Sequence, residues 1–189
     1  MNEKILQLEE EIKNLYQKDT EDKNQSFWSV HVKPVIEESK FLANKYHANK
    51  EIVWLSAILH DIGQLDALEP HEVIGSEKAA HILSGKKFDP EIIKRVCETI
   101  LSHRVNQYVP ETLEQKVLAS ADAISHFKNS HYLWMSKVYK NNFLDLIDKI
   151  NSKIERDYNE KIFFEEEKKK VEPYFRVLKD WLVMYKINK

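Results

Sequence analysis

The segment Ile52-Val53-Trp54-Leu55-Ser56-Ala57-Ile58-Leu59 carries no charge and has no polar helical face. A helix that is apolar all round is buried. This stretch therefore predicts a central helix over 51–61, around which the remaining elements must pack. It runs straight into His60-Asp61. A bare carboxylate at the edge of a core is unfavourable unless it is paired or bound to a metal. Gly63 follows as the expected helix stop.

The other segments also read as helices. Only 3 Gly and 5 Pro punctuate 189 residues, too few for a many-turned β fold. Ile5, Leu8, Ile12 and Leu15 recur at helical spacing over 3–18. The polar stretch Thr20 to Ser26 reads as a connection. A helix over 27–46 contains Pro34, which is tolerated only in a first turn, so its regular part should begin near His31. Val35, Ser39, Leu42 and Tyr46 continue the His31 face. A helix over 72–83, with Val73, Ala79, Ala80, Ile82 and Leu83 inward, should stop at Gly85. Asp89-Pro90-Glu91 combines a cap, a first-turn proline and an acidic first turn. The stripe it opens, Ile92/Ile93, Val96 and Ile100, leads to His103. A helix over 112–127 turns Leu113, Val117, Leu118, Ala121 and Ile124 inward, with Asp122 at the border of that face.

Beyond Tyr132 further helices are expected, with Trp134, Met135, Tyr139, Trp181 and Tyr185 as core residues. The charge block Glu165 to Lys170 reads as a solvated helical face, and Pro173 as a break before the last helix. The expected organisation is an N-terminal helix and connection (1–24), a metal-binding core (25–130) and C-terminal helices packed on the same domain (131–189).

Hydrophobic residues make up 42% and charged residues 32% of the chain, and the formal net charge is -2. That balance argues against a protein that coats a nucleic-acid polymer, which needs clustered positive charge. The single cysteine, Cys97, excludes an intramolecular disulfide and reads as a small core residue. No secretory signal or membrane span is evident, so a cytoplasmic location is expected.

His31, His60, Asp61 and Asp122 each stand beside apolar helical positions. Imidazoles and carboxylates on facing helices are the donor types of a borderline divalent metal. His71, at a helix start, and His103, at the end of an inward stripe, are two further candidates. His47, His81, His126 and His131 are assigned surface or structural roles.

Val30-His31-Val32-Lys33-Pro34-Val35, Leu59-His60-Asp61-Ile62-Gly63 and Ala119-Ser120-Ala121-Asp122-Ala123 together resemble the HD-domain phosphohydrolase superfamily. The resemblance covers about residues 25–130. It implies an all-α fold: a single-domain helical bundle, here with a C-terminal helical extension. It also implies a divalent metal (Mn, Fe, Co, Ni, Mg or Zn) held by His31, His60, Asp61 and Asp122. His71 and His103 resemble the extra ligands of binuclear members; with one metal only, they would contact phosphate or assist proton transfer. The implied reaction is hydrolysis of a phosphoester or phosphoanhydride, often in a nucleotide.

Arg104 is the first candidate for a phosphate contact, ahead of Lys33 and Lys78. Glu77 and Asp66 are candidates for proton transfer, which makes Asp61, His71, Glu77 and Arg104 the expected catalytic set. The expected partner is a phosphorylated small molecule, with neither membrane nor nucleic-acid polymer, and a homodimer is one reading of the C-terminal third. Two alternatives stand beside hydrolysis: a di-iron oxygenase on a related scaffold, and a non-catalytic nucleotide-binding module.

Overall fold

Helix α1 (Glu3–Lys18) buries Ile5, Leu8, Ile12 and Tyr16. Leu15, expected on that stripe, is 52% exposed. The helical period carries the stripe from Ile12 to Tyr16 instead, and the Tyr16 hydroxyl donates to the backbone oxygen of Asp61 at 2.9 Å. The computed structural model describes residues 3–18, 22–66, 70–139 and 142–187, without the side chains of 22–24, 66 and 185–187.

The expected connection before Phe27 is partly helical, because residues 22–27 form α2 (Asp22–Phe27). Phe27 packs against Tyr16 with ring centroids 5.9 Å apart, which anchors this polar segment to the core. A π turn (Trp28–Val32) then leads into α3 (Lys33–Tyr46). The Lys33 N–H bonds to the Trp28 oxygen five residues back, and Pro34, with no N–H to give, sits in the first turn of α3.

Helix α4 (Lys50–Leu59) is buried from Ile52 to Leu59, and Asn49 caps it by accepting from the N–H groups of Glu51 and Ile52. Gly63 does not end α4 with a left-handed residue; it lies inside a 3-10 turn (Ile62–Asp66). Its requirement is space, since a Cβ there would lie 2.5 Å from the His71 oxygen. Helix α5 (His71–Gly85) therefore packs directly on this turn. Gly85 is its last residue, and the left-handed position falls at Lys87.

Asp89 caps α6 (Pro90–Ser102) as expected. Thr112 and Gln115 form a reciprocal capping box that starts α7 (Leu113–Lys128). Leu113 is 38% exposed rather than inward, because it occupies the first turn, ahead of the buried stretch from Val117 to Phe127.

Helices α8 (His131–Val138) and α9 (Phe143–Arg156), a second π turn (Asp157–Lys161) and α10 (Glu165–Ile187) complete the chain. Pro173 lies within α10 rather than before it. Both Pro173 and Lys169, whose carbonyl the proline leaves without a donor, are exposed, so water can take that bond. The charge block is not wholly solvated: Glu167 is buried and accepts from Lys45 and from the Tyr46 hydroxyl. Trp181 is half exposed rather than core, and the Tyr185 side chain lies outside the described residues.

The fold is an all-helical bundle, with no strand among the described residues. Two apolar clusters hold it together. One joins α1, α4, α5 and α6; the other joins α8, α9 and α10; α3, α4 and α7 contribute to both. The residues after 130 thus share a core with the central helices. Among the described residues, no helix is long and apolar enough to cross a membrane.

Candidate metal centre

Five elements bring the candidate ligands together. The first π turn supplies His31, the end of α4 supplies His60 and Asp61, the middle of α7 supplies Asp122, and α5 and α6 bring His71 and His103. All six are buried. Nε2 of His31 lies 3.0 Å from Asp61 Oδ2, 3.4 Å from Asp122 Oδ1 and 3.0 Å from Nε2 of His60. Asp61 Oδ1 faces the other way, 3.3 Å from Nε2 of His71 and 3.6 Å from Nε2 of His103. Asp61 thus stands between two groups, His31/His60/Asp122 and Asp61/His71/His103, whose ligand atoms lie within 4.8 Å of one another in each case.

The tautomers follow from the backbone. Nδ1 of His60 lies 2.9 Å from the Ala57 oxygen, and Nδ1 of His103 lies 2.6 Å from the Ile100 oxygen. A carbonyl only accepts, so each Nδ1 carries a proton, and in that tautomer Nε2 is the nitrogen that presents a lone pair. The His60 lone pair faces Nε2 of His31 and Asp61 Oδ2, and the His103 lone pair faces Asp61 Oδ1. Asp61 Oδ1 and His31 Nδ1 are buried with no hydrogen-bond partner among the described residues.

Acceptors facing acceptors need a cation or extra protons between them, and extra protons are disfavoured here. Burial pushes His31 down to about 4 against the opposing pull of Asp61 and Asp122. Burial also lowers His60. Burial alone would raise Asp61, but His60, His103, His31 and His71 outweigh it and hold the carboxyl well below its usual range. Ligands about 2.1 Å from a common ion sit roughly 3.0–3.4 Å apart at right-angle to tetrahedral geometry. The spacings around His31 match that range, so the residues present fit a divalent metal.

Asp122 divides its oxygens too. Oδ1 faces His31 and, at 3.2 Å, Nε2 of His126, while Oδ2 is held by the buried ammonium of Lys161. Burial would raise this carboxyl, but Lys161 and His126 keep it well below the ordinary range. Behind it, Nδ1 of His126 lies 2.9 Å from Asp157 Oδ2, which also accepts from Tyr132 and pairs with Lys153. A carboxylate behind a ligand's imidazole partner fixes that ring's orientation.

His126 and His131 are therefore not surface residues: both are buried, with ring centroids 3.9 Å apart, and both line the same cavity as His31. His126 lies one helical turn after Asp122, and that i,i+4 spacing was its readable signal. His47 and His81 are exposed. Glu77 is also exposed and does not line the cavity; the acid that α5 turns inward is Glu72, which accepts from Arg104 at 2.8 Å. Helical geometry explains the difference, since Glu72 follows His71 on the buried first turn while Glu77 falls on the opposite face. The Asp66 side chain lies outside the described residues.

The cavity has a volume of about 400 Å³, within the range of small-molecule sites. One side is the His/Asp cluster. Phe27, Trp134, Met135 and Tyr139 supply an apolar wall, and Arg104, Lys149, Lys153, Arg156 and Lys161 are its cations. Lys33 and Lys78 are not among its lining residues.

Residues 29–126 match the family model for the HD domain, just over half of the chain. An uncharacterized protein of Clostridium beijerinckii is 41% identical over 59 residues, a stretch covering 30% of this chain and 38% of that protein. The crystal structure of a predicted HD superfamily hydrolase from an uncultured Thermotogales bacterium superposes with a TM-score of 0.62 at 22% identity. That superposition covers 97% of this chain and 91% of the other, and it is a likeness of fold.

Proposed function

The chain belongs to the HD-domain family, and on that premise we propose that it is a metal-dependent phosphohydrolase cleaving a phosphoester or phosphoanhydride bond of a nucleotide or related phosphorylated small molecule. The observation that carries the reading is the set of bare Nε2 and carboxylate lone pairs converging beside a cavity with a cationic wall. His31, His60, Asp61 and Asp122 would hold one divalent ion of the Mn, Fe, Co, Ni, Mg or Zn class. Asp61 Oδ1, His71 and His103 would hold a second. When bound, such an ion supplies a water of lowered pKa and neutralises charge on a phosphoryl oxygen.

The chain's own residues do the rest. Arg104, fixed by Glu72 and with Nη1 3.4 Å from Nδ1 of His71, presents its guanidinium to the phosphoryl oxygens. With one metal only, His71, at the cavity edge of α5, would instead contact phosphate or pass a proton to the leaving oxygen. Lys161 keeps Asp122 ionised and oriented. Phe27 and Trp134, with ring centroids 4.9 Å apart, offer the apolar surface that a nucleobase stacks on.

Phosphate release from a nucleotide panel with each metal, set against an Asp61→Ala variant, tests the reading. Removing a ligand shared by both groups should lower turnover by about 10³-fold or more. Absence of turnover with every metal, in protein that still carries metal, overturns hydrolysis of these substrates. The dinuclear oxygenase alternative draws on the same two groups of ligands. An iron chromophore with oxygen consumption would identify it, but the lysines and arginines that line the cavity favour an anionic substrate.

A further inference from the structure

Helix α9 lies outside the family match and offers no residue to the His/Asp groups, yet it forms a wall of the cavity. Lys149, Lys153 and Arg156 stand at i, i+4 and i+7, one face of the helix, and all three line the cavity. Lys153 is matched by Asp157 at 3.2 Å. The other two have no carboxylate within ion-pair distance among the described residues. Lys149 lies 4.8 Å over the Tyr139 ring, and Arg156 donates from Nη1 to the Asn106 amide oxygen at 3.2 Å. Nε of Arg156 is buried without a hydrogen-bond partner. Among the described residues, the acidic ones lining the cavity are Asp61 and Asp122, already engaged with histidines and Lys161.

Lys149 is exposed at the cavity rim and Arg156 half-buried; two cations facing one cleft without counter-charge repel one another, and a buried guanidinium nitrogen without an acceptor calls for one. A phosphate oxygen is the acceptor that an arginine fork and an adjacent ammonium match. We infer that the α9 face, Lys149 with Arg156, is a second phosphate subsite, and that the substrate carries a chain of at least two phosphates. One phosphoryl group lies at the His/Asp cluster and the next is gripped by α9. The subsite rests on the phosphohydrolase reading and narrows its substrate to di- and triphosphates over monophosphates.

Titration calorimetry of the full chain, stripped of metal, against inorganic triphosphate and against orthophosphate is the test. Wild type should bind triphosphate about tenfold or more tighter, and a folded Lys149→Met/Arg156→Met variant should lose most of that difference. Equal affinity for the two anions in the wild type overturns the subsite without needing any variant. So does a folded double variant that keeps the full preference. The metal-dependent release assay separates the two conclusions. Release retained without a triphosphate preference overturns only the subsite. A preference retained without release upholds the anion site and overturns hydrolysis.

Discussion

Asp61 gives one oxygen to His31 and His60 and the other to His71 and His103. Small displacements around it therefore reach both ligand groups. Gly63 is the residue that sets those displacements, because any Cβ there would press on the His71 backbone oxygen at 2.5 Å and approach the Gly75 nitrogen at 3.0 Å. Gly63→Ala should destabilise the protein by about 1–3 kcal/mol, an overpacking effect, and should weaken metal binding by moving His71. At Gly85 nothing lies within 4 Å of an added Cβ, so Gly85→Ala should be neutral or slightly stabilising. Urea unfolding midpoints of the two variants check both expectations, and equal midpoints would refute the packing argument. His31, His60, Asp61 and Asp122 were legible as candidates in the sequence because each stands beside apolar helical positions. Lys161, Asp157 and Lys153 were not, since charges four residues apart usually mark a solvated helix face, and only the tertiary packing of the second π turn buries Asp157 and Lys161.

Among the elements, the helices with strong local signals fell where their caps and periods put them. Asp89 caps as expected, and Thr112, expected as the first residue of its helix, is that helix's cap. The departures have a common cause, tertiary burial overriding a local signal. Residues 22–27 are polar but are drawn into helix by Phe27 and Trp28, which pack on Tyr16. The block at 165–170 looks solvated, yet one turn of it meets Lys45 and Tyr46. Pro173 is a breaker by itself, but α10 continues through it. Restoring the missing N–H with Pro173→Ala should stabilise the protein by about 1–2 kcal/mol, less than the full helix-interior penalty because the unfolded chain also gains freedom. For a chain this size that is a rise of roughly 2–8 °C in the unfolding midpoint. A lower midpoint would mean that the proline's shape matters to the packing of α10.

In the whole molecule, the density of buried titratable groups makes stability depend on pH. The fold holds His31 at about 4, below its ordinary 6.5, and burial lowers His60 and His131 as well. Between those values the unfolded chain takes up protons that the folded chain refuses, so stability falls as pH drops from about 6.5 to about 4. His31 alone contributes on the order of 3 kcal/mol across that window. Metal-free protein should show this slope in its unfolding midpoint. Divalent metal at a hundredfold excess over its Kd should add about 2.7 kcal/mol near neutral pH. A midpoint that stays level from pH 7 to 4 would contradict the buried neutral histidines. Two contacts set how much of the molecule the centre needs. The Tyr16 hydroxyl pins the Asp61 backbone from one side, and the Lys161 ammonium pins the Asp122 carboxylate from the other. Both lie outside the stretch 29–126 that the family shares. A fragment trimmed to that stretch would keep every candidate ligand and lose both clamps, so the smallest autonomous unit able to house the centre runs at least from the first helix through the second π turn.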